Sequence, residues 1–217
     1  MKATRHFLTV AVGVLALTAC AAPAPDQTAA PTPVPTSTPE PVAETIVVGG
    51  SDFAVLDADG AELDRIAYSA DPESAVDVLA DAIGAAPETA VEGAQTCFGE
   101  YDTRRWDESL ALKSGENLPL PADALFELEV TGELAGGIRL QTPQGFAVGE
   151  PIAELTASVP EAPAVQFETG GAVVNFEVVT GSEEDGAEPY YGAQATDLEA
   201  TGLIGGIRAP LDFRFDC

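Results

Sequence analysis

Phe126-Glu127-Leu128-Glu129-Val130 decides the fold class, because apolar and acidic residues alternate along it with a period of two. Successive side chains of a strand point to opposite faces, so this stretch offers one face to a core and the other to a polar surface. That is the pattern of an antiparallel sheet covered on one side. The same alternation appears upstream at Leu110 and Leu112 and downstream at Ile138 and Leu140. It returns at Leu211, Phe213 and Phe215, which alternate with Asp212, Arg214 and Asp216, while Val173 to Val179 is more continuously apolar. Toward the N terminus, Thr45 to Val48, Phe53 to Leu56 and Glu62 to Tyr68 read as short strands. Asp57-Ala58-Asp59-Gly60 supplies the Asp and Gly of a hairpin turn, and Gly136-Gly137, Gly170-Gly171 and Gly205-Gly206 mark further turns or bulges.

Two stretches have helical spacing instead. Asp71-Pro72 combines an N-cap residue with the residue favoured at the first helical position, and Val76, Leu79, Ala80 and Ile83 then recur on one face before Gly84 and Pro87. The second stretch has Pro151 near its first turn, Ile152, Leu155 and Val159 on one side, and Pro160 as terminator. A shift of 76 residues lays Val76 on Ile152, Leu79 on Leu155, Ile83 on Val159 and Pro87 on Pro163. Either the chain is an internal duplication, with units 44–135 and 136–217, or two amphipathic helices ending in proline coincide. The expected class is α+β: antiparallel sheet with a few short amphipathic helices on one face.

With 217 residues, 46% of them hydrophobic, the chain can bury a core, which excludes disorder over its whole length. A net charge of −27, with acids spread along the chain, excludes nucleic acid as a partner. Residues 1–19 read as a signal peptide: Lys2 and Arg5 precede an apolar run from Phe7 to Leu17, too short to span a membrane. Leu17-Thr18-Ala19-Cys20 has the form of a lipobox, so Cys20 is the expected site of lipidation. The acyl chains each contribute about 0.8 kcal/mol per buried methylene and would hold the protein on the cell membrane, facing its extracytoplasmic side. Loss of Lys2 and Arg5 leaves seven bases against 36 acids, a net charge of −29, which anionic headgroups repel. Membrane contact is therefore assigned to the lipid. Residues 20–43 form the linker, with prolines at 23, 25, 31, 33, 35, 39 and 41 among Ala and Thr; such a segment extends about 3.1 Å per residue and either carries sugar on its threonines or is a bare spacer. Residues 44–217 are the globular region.

With Cys20 acylated, Cys97 and Cys217 remain as one pair in an oxidising compartment, and a disulfide between them is expected. The only histidine, His6, leaves with the signal peptide, removing Ser-His-Asp, Cys-His and histidine-zinc chemistry from the mature chain. Carboxylate pairs suffice for glycoside hydrolysis, but among 36 acids chance proximity is unavoidable. No catalytic residue, metal site or cofactor is assigned. Asp57, Asp59, Gly60, Glu62 and Asp64 suggest a calcium loop, yet placing Gly60 at the sixth position puts Val55 first and Ile66 twelfth, where oxygen ligands are required, so a hairpin is the better reading. Glu183-Glu184-Asp185 with Glu188 reads as a solvated loop, and Tyr190 and Tyr191 either pack or stack on a sugar. The most distinctive local feature is Tyr101-Asp102-Thr103-Arg104-Arg105-Trp106, which sets two arginines beside the sole tryptophan. Tyr101, Arg104, Arg105 and Trp106 are the candidate binding patch, for an acidic or carbohydrate group, unless Trp106 anchors the core and the arginines pair with nearby carboxylates.

The order of features from Thr45 to Trp106 resembles uncharacterised exported lipoproteins of actinobacteria such as the Microbacteriaceae. A short strand is followed by Phe53-Ala54-Val55-Leu56-Asp57-Ala58-Asp59-Gly60, Ile66-Ala67-Tyr68, a helix opened by Asp71-Pro72 and closed by Ile83-Gly84-Ala85-Ala86-Pro87, and a tryptophan before a strand. The likeness covers about a third of the chain and implies location and fold; the acid excess with little lysine also fits a halophile. The second half is similar, more distantly, to the helix-plus-strands repeats of the β-lactamase-inhibitor-protein type. The expected role is a non-enzymatic binding or envelope function, with an envelope protein or glycan as partner. A carboxylate-based cell-wall hydrolase and a purely structural surface protein are the competing readings.

Overall fold

Gly49-Gly50-Ser51 turns the chain between β1 (Ala43–Val48) and β2 (Asp52–Asp57), and a second turn leads to β3 (Glu62–Ala67). In that second turn the Asp57 N–H donates to the Ala61 carbonyl at 2.9 Å, and Gly60 adopts φ 77°, the left-handed conformation expected of it. The computed structural model describes residues 41–93, 99–121, 123–159, 164–166, 171–179 and 191–212.

Helix α1 (Pro72–Ile83) follows, with Pro72 in its first turn and Gly84 closing it at φ 73° through an N–H bond to the Ala80 carbonyl. Asp71 occupies the N-cap position, but its carboxylate makes no capping bond. Four strands come next: β4 (Glu88–Glu92), β5 (Tyr101–Trp106), β6 (Leu110–Ser114) and β7 (Phe126–Val130). A short hairpin, β8 (Leu134–Ala135) with β9 (Ile138–Gln141), turns at Gly136-Gly137. Helix α2 (Ile152–Ser158) precedes β10 (Ala164–Gln166), β11 (Ala172–Val179), β12 (Tyr191–Asp197) and β13 (Gly206–Asp212). Among the described residues no helix is long and apolar enough to cross a membrane.

The strands make two sheets, one of five in the order β3-β2-β1-β9-β8 and one of eight in the order β10-β11-β12-β13-β7-β6-β5-β4. All neighbours are antiparallel except β1 and β9, which run parallel. Among the described residues the fold is thus mostly antiparallel β with two helices, a coarser form of the α+β expectation. Strands β4, β5 and β12 escape a reading by apolar alternation. Strand β4 is exposed along nearly its whole length, β5 is dominated by polar residues, and β12 buries Gly192, Ala193 and Ala195 where larger residues would signal a strand. The suggested boundary at 135/136 falls at the β8–β9 turn, and each sheet contains strands from both sides of it.

The core lies between the sheets. Ile46, Val48, Phe53, Val55 and Leu140 come from the five-stranded sheet, and Leu110, Leu112, Phe126, Leu128 and Val130 from the eight-stranded one. Phe126 is the junction: its ring packs edge-on against Phe53 at 6.4 Å and against Tyr68 at 5.3 Å. Helix α1 adds Ala75, Val76, Leu79 and Ile83, and α2 adds Ile152 and Leu155. Buried Tyr68 donates its hydroxyl to the Gly49 carbonyl, and burial pushes its pKa well up, with the charges of Asp52, Glu177 and Glu127 adding to the shift. Pairing of β13 with β7 stops at Ala209, next to Pro210, which has no N–H to donate.

Candidate functional site

Strand β5 carries the candidate patch, and its alternation takes that patch apart. Arg104 is opposite Leu112 and Leu112 opposite Leu128, both fully buried in the core, so Arg104 lies on the core-side face. Arg105 is opposite Ala111 and Ala111 opposite Glu129, which places it on the other face. Arg104 reaches Glu73 of α1 at 3.3 Å, and Arg105 reaches Glu92 of β4 at 3.0 Å. Trp106 is 2% exposed, packed in the core, with Nε1 donating to the Ala85 carbonyl at 2.9 Å. Tyr101 shares the face of Arg105. The four residues therefore form no single surface: contiguity in sequence, read as contiguity in space, fails inside a strand because neighbours diverge by half a turn. A concavity of about 320 Å³ beside Thr89, Val91, Asp102 and Arg104 is what remains on the core-side face.

The other face of the eight-stranded sheet gathers the charges that Phe126-Glu127-Leu128-Glu129-Val130 turns away from the core. Lys113, the sole lysine besides Lys2, sits 2.6 Å from Glu129 and 3.9 Å from Glu127, with its ammonium 5.9 Å from the centre of the Tyr101 ring. Arg208 of β13 donates to both oxygens of Glu127 at 2.8 and 3.1 Å. Burial works to lower the Arg208 pKa, but the charge and hydrogen bonds of Glu127, with Glu129, outweigh it and raise the value. Glu127 is 1% exposed, so removing either cation would leave a buried carboxylate poorly compensated. The Thr103 hydroxyl, also buried on this face, has no hydrogen-bond partner among the described residues. Lys113 and Arg208 come from strands far apart in sequence, and the acids at 127 and 129 were the local sign of this network.

On the five-stranded sheet the face away from the core bears a groove of about 280 Å³. Val47, Ala54 and Leu56 make an apolar floor from β1 and β2; Arg65, Gln141 and Pro143 border it, and Asp52 and Glu177 stand at one end. Both concavities are at or below the small end of ligand pockets, enough for a single sugar or an amino-acid side chain. Arg65 is held by Glu62, at 2.7 Å, and by Asp52, and the Glu62 hydrogen bond with the Asp52 charge raises its pKa. Glu177 arrives from β11 through a bulge at φ 47°, where residues 177 and 178 oppose Gly192 alone. Its Oε2 accepts the Gly50 N–H at 2.9 Å. No motif announced Glu177; the bulge that aims it is a property of two paired strands.

Other sequence candidates resolve locally. Asp57 Oδ1 accepts the N–H groups of Asp59 and Ala61, so this carboxylate serves the hairpin. Backbone N–H bonds from Thr201 and Gly202 lower the pKa of Asp197, and the Ala147 N–H with Arg139 lowers that of Glu150. Tyr191 begins β12. Cys20, Cys97, Cys217, Tyr190 and the Glu183-Glu184-Asp185 cluster with Glu188 lie outside the described residues. Comparison with family models, with curated proteins and with solved structures finds no match to this chain.

Proposed function

We propose that the protein is an extracytoplasmic lipoprotein, held on the cell membrane through Cys20, with a non-enzymatic binding or envelope role. The observation that carries this reading is the agreement of three features in one leader: basic residues at 2 and 5, the apolar run from Phe7 to Leu17, and Leu17-Thr18-Ala19-Cys20. The proline-rich linker supports it, since a semi-rigid spacer is useful between an anchor and a folded domain. A binding role is favoured over hydrolysis on the sequence, where no histidine is left once residues 1–19 are removed and no catalytic motif occurs. The duplication is proposed on the 76-residue shift alone; of its four aligned pairs, Val76 with Ile152 and Leu79 with Leu155 are buried in both helices, as one face of any amphipathic helix would be.

Fractionation of cells expressing the full chain tests the anchor. Wild type should sediment with membranes, whereas Cys20→Ala or globomycin treatment should release the protein or leave the precursor uncleaved. Identical partitioning and processing of mutant and wild type would refute lipidation at Cys20.

A further inference from the structure

We propose that the groove on the five-stranded sheet is a subsite for a primary ammonium group on an alkyl chain, as presented by a lysine side chain of an extended basic peptide. This goes beyond the anchoring reading and does not depend on it. The argument begins with which polar atoms at the rim are already used. Both oxygens of Asp52 are occupied, Oδ1 by Arg65 and Oδ2 by Ser51 at 3.2 Å. Arg65 is bonded to Asp52 and Glu62, so its charge is balanced. Gln141 Oε1 accepts from Arg139 at 3.1 Å, which turns the amide nitrogen into the available group of that side chain. Glu177 uses Oε2 for the Gly50 N–H and keeps Oε1 for a ligand, on an exposed side chain.

The rim therefore offers one anionic acceptor at Glu177 and one neutral donor at Gln141, above the apolar floor of Val47, Ala54 and Leu56. An alkylammonium with a nearby carbonyl matches all three: the ammonium meets Glu177, the carbonyl accepts from Gln141, and the methylenes cover the floor. A divalent cation is a poorer fit, because hard cations need several oxygen ligands and Asp52 is already neutralised by Arg65, which leaves Glu177 as the one groove acid without a basic partner among the described residues. An anion is a poorer fit as well, since Arg65 is already balanced and the chain carries a net charge of −27. The chain enters β1 at Ala43, while Gly49 and Glu177 mark the far end of that strand. The acidic end of the groove thus lies at the opposite end of β1 from Ala43.

The test uses the full chain purified in detergent, with Nα-acetyl-lysine-N-methylamide as probe and the norleucine analogue, which lacks the amine, as its control. Amide resonances of Val47, Ala54, Leu56, Arg65 and Gln141 should shift with the lysine probe, with about fivefold preference over norleucine, the worth of one partly exposed ion pair. Glu177→Gln retains an acceptor for the Gly50 N–H and should abolish the preference. Gln141→Lys leaves the Glu177 clasp untouched and should weaken the lysine probe by repulsion. Equal binding of both probes, shifts confined to other residues, or a preference that survives Glu177→Gln would each overturn the proposal. Because soluble and anchored forms share the groove, failure here leaves the Cys20 result unaffected, and the reverse also holds.

Discussion

Gly49 and Gly50 show how much a missing side chain can specify. A Cβ on Gly49 would lie 2.6 Å from Glu177 Oε2, and one on Gly50 would lie 2.2 Å from the Glu177 carbonyl oxygen. The obstacle at Gly50 is backbone, which cannot rotate aside. Gly50→Ala should therefore lower stability by about 2 kcal/mol through a shifted β1–β2 turn and a lost clasp to β11. Urea denaturation would register this as a lower midpoint at unchanged slope. A midpoint equal to wild type would mean that the turn and the bulge move apart freely.

At the scale of the element, β5 explains why Tyr101, Arg104, Arg105 and Trp106 do not act together. Arg104 pairs with an exposed glutamate on α1, and Arg105 pairs across to β4 on the opposite face. Each pair is partly exposed, so each should contribute no more than about 1 kcal/mol. Since the two share no partner, Arg104→Ala and Arg105→Ala should be additive within about 0.5 kcal/mol. A double-mutant cycle on unfolding free energy measures this directly; a larger coupling would show that the guanidiniums communicate through the strand. Strand β4 is the exposed edge of its sheet, and Glu88 and Glu92 near its ends oppose pairing with another copy by like-charge repulsion.

Across the whole molecule, topology bears on the proposed Cys97–Cys217 bond. Strands β13, β7, β6 and β5 are successive antiparallel neighbours, so the C-terminal end of β13 at Asp212 is at the same end of the sheet as Tyr101, where β5 begins. Three strand spacings separate them, roughly 14 Å, and five residues can extend about 16 Å. The chain beyond Asp212 is therefore long enough to meet the β4–β5 connection. A disulfide closing a loop of about 120 residues would contribute roughly 2–5 kcal/mol. Unreduced peptide mapping should recover one cross-linked pair containing Cys97 and Cys217. Alkylation of both thiols without prior reduction would rule the bond out and lessen the constraint on β13.

The early hairpin, both helices and the strands around Leu112, Leu128 and Leu140 were legible in the sequence, because each depends on local chemistry: turn residues, or a period of 2 or 3.6. Tertiary structure alone decided which strands were neighbours, and with them the parallel pairing of β1 to β9, the ion network of Lys113, Glu127, Glu129 and Arg208, and the groove closed by Glu177. Those features join residues up to 127 positions apart. Nothing in a single stretch marks such pairs, since pairing is chosen by burial of the whole sheet face and not by the strand's own alternation.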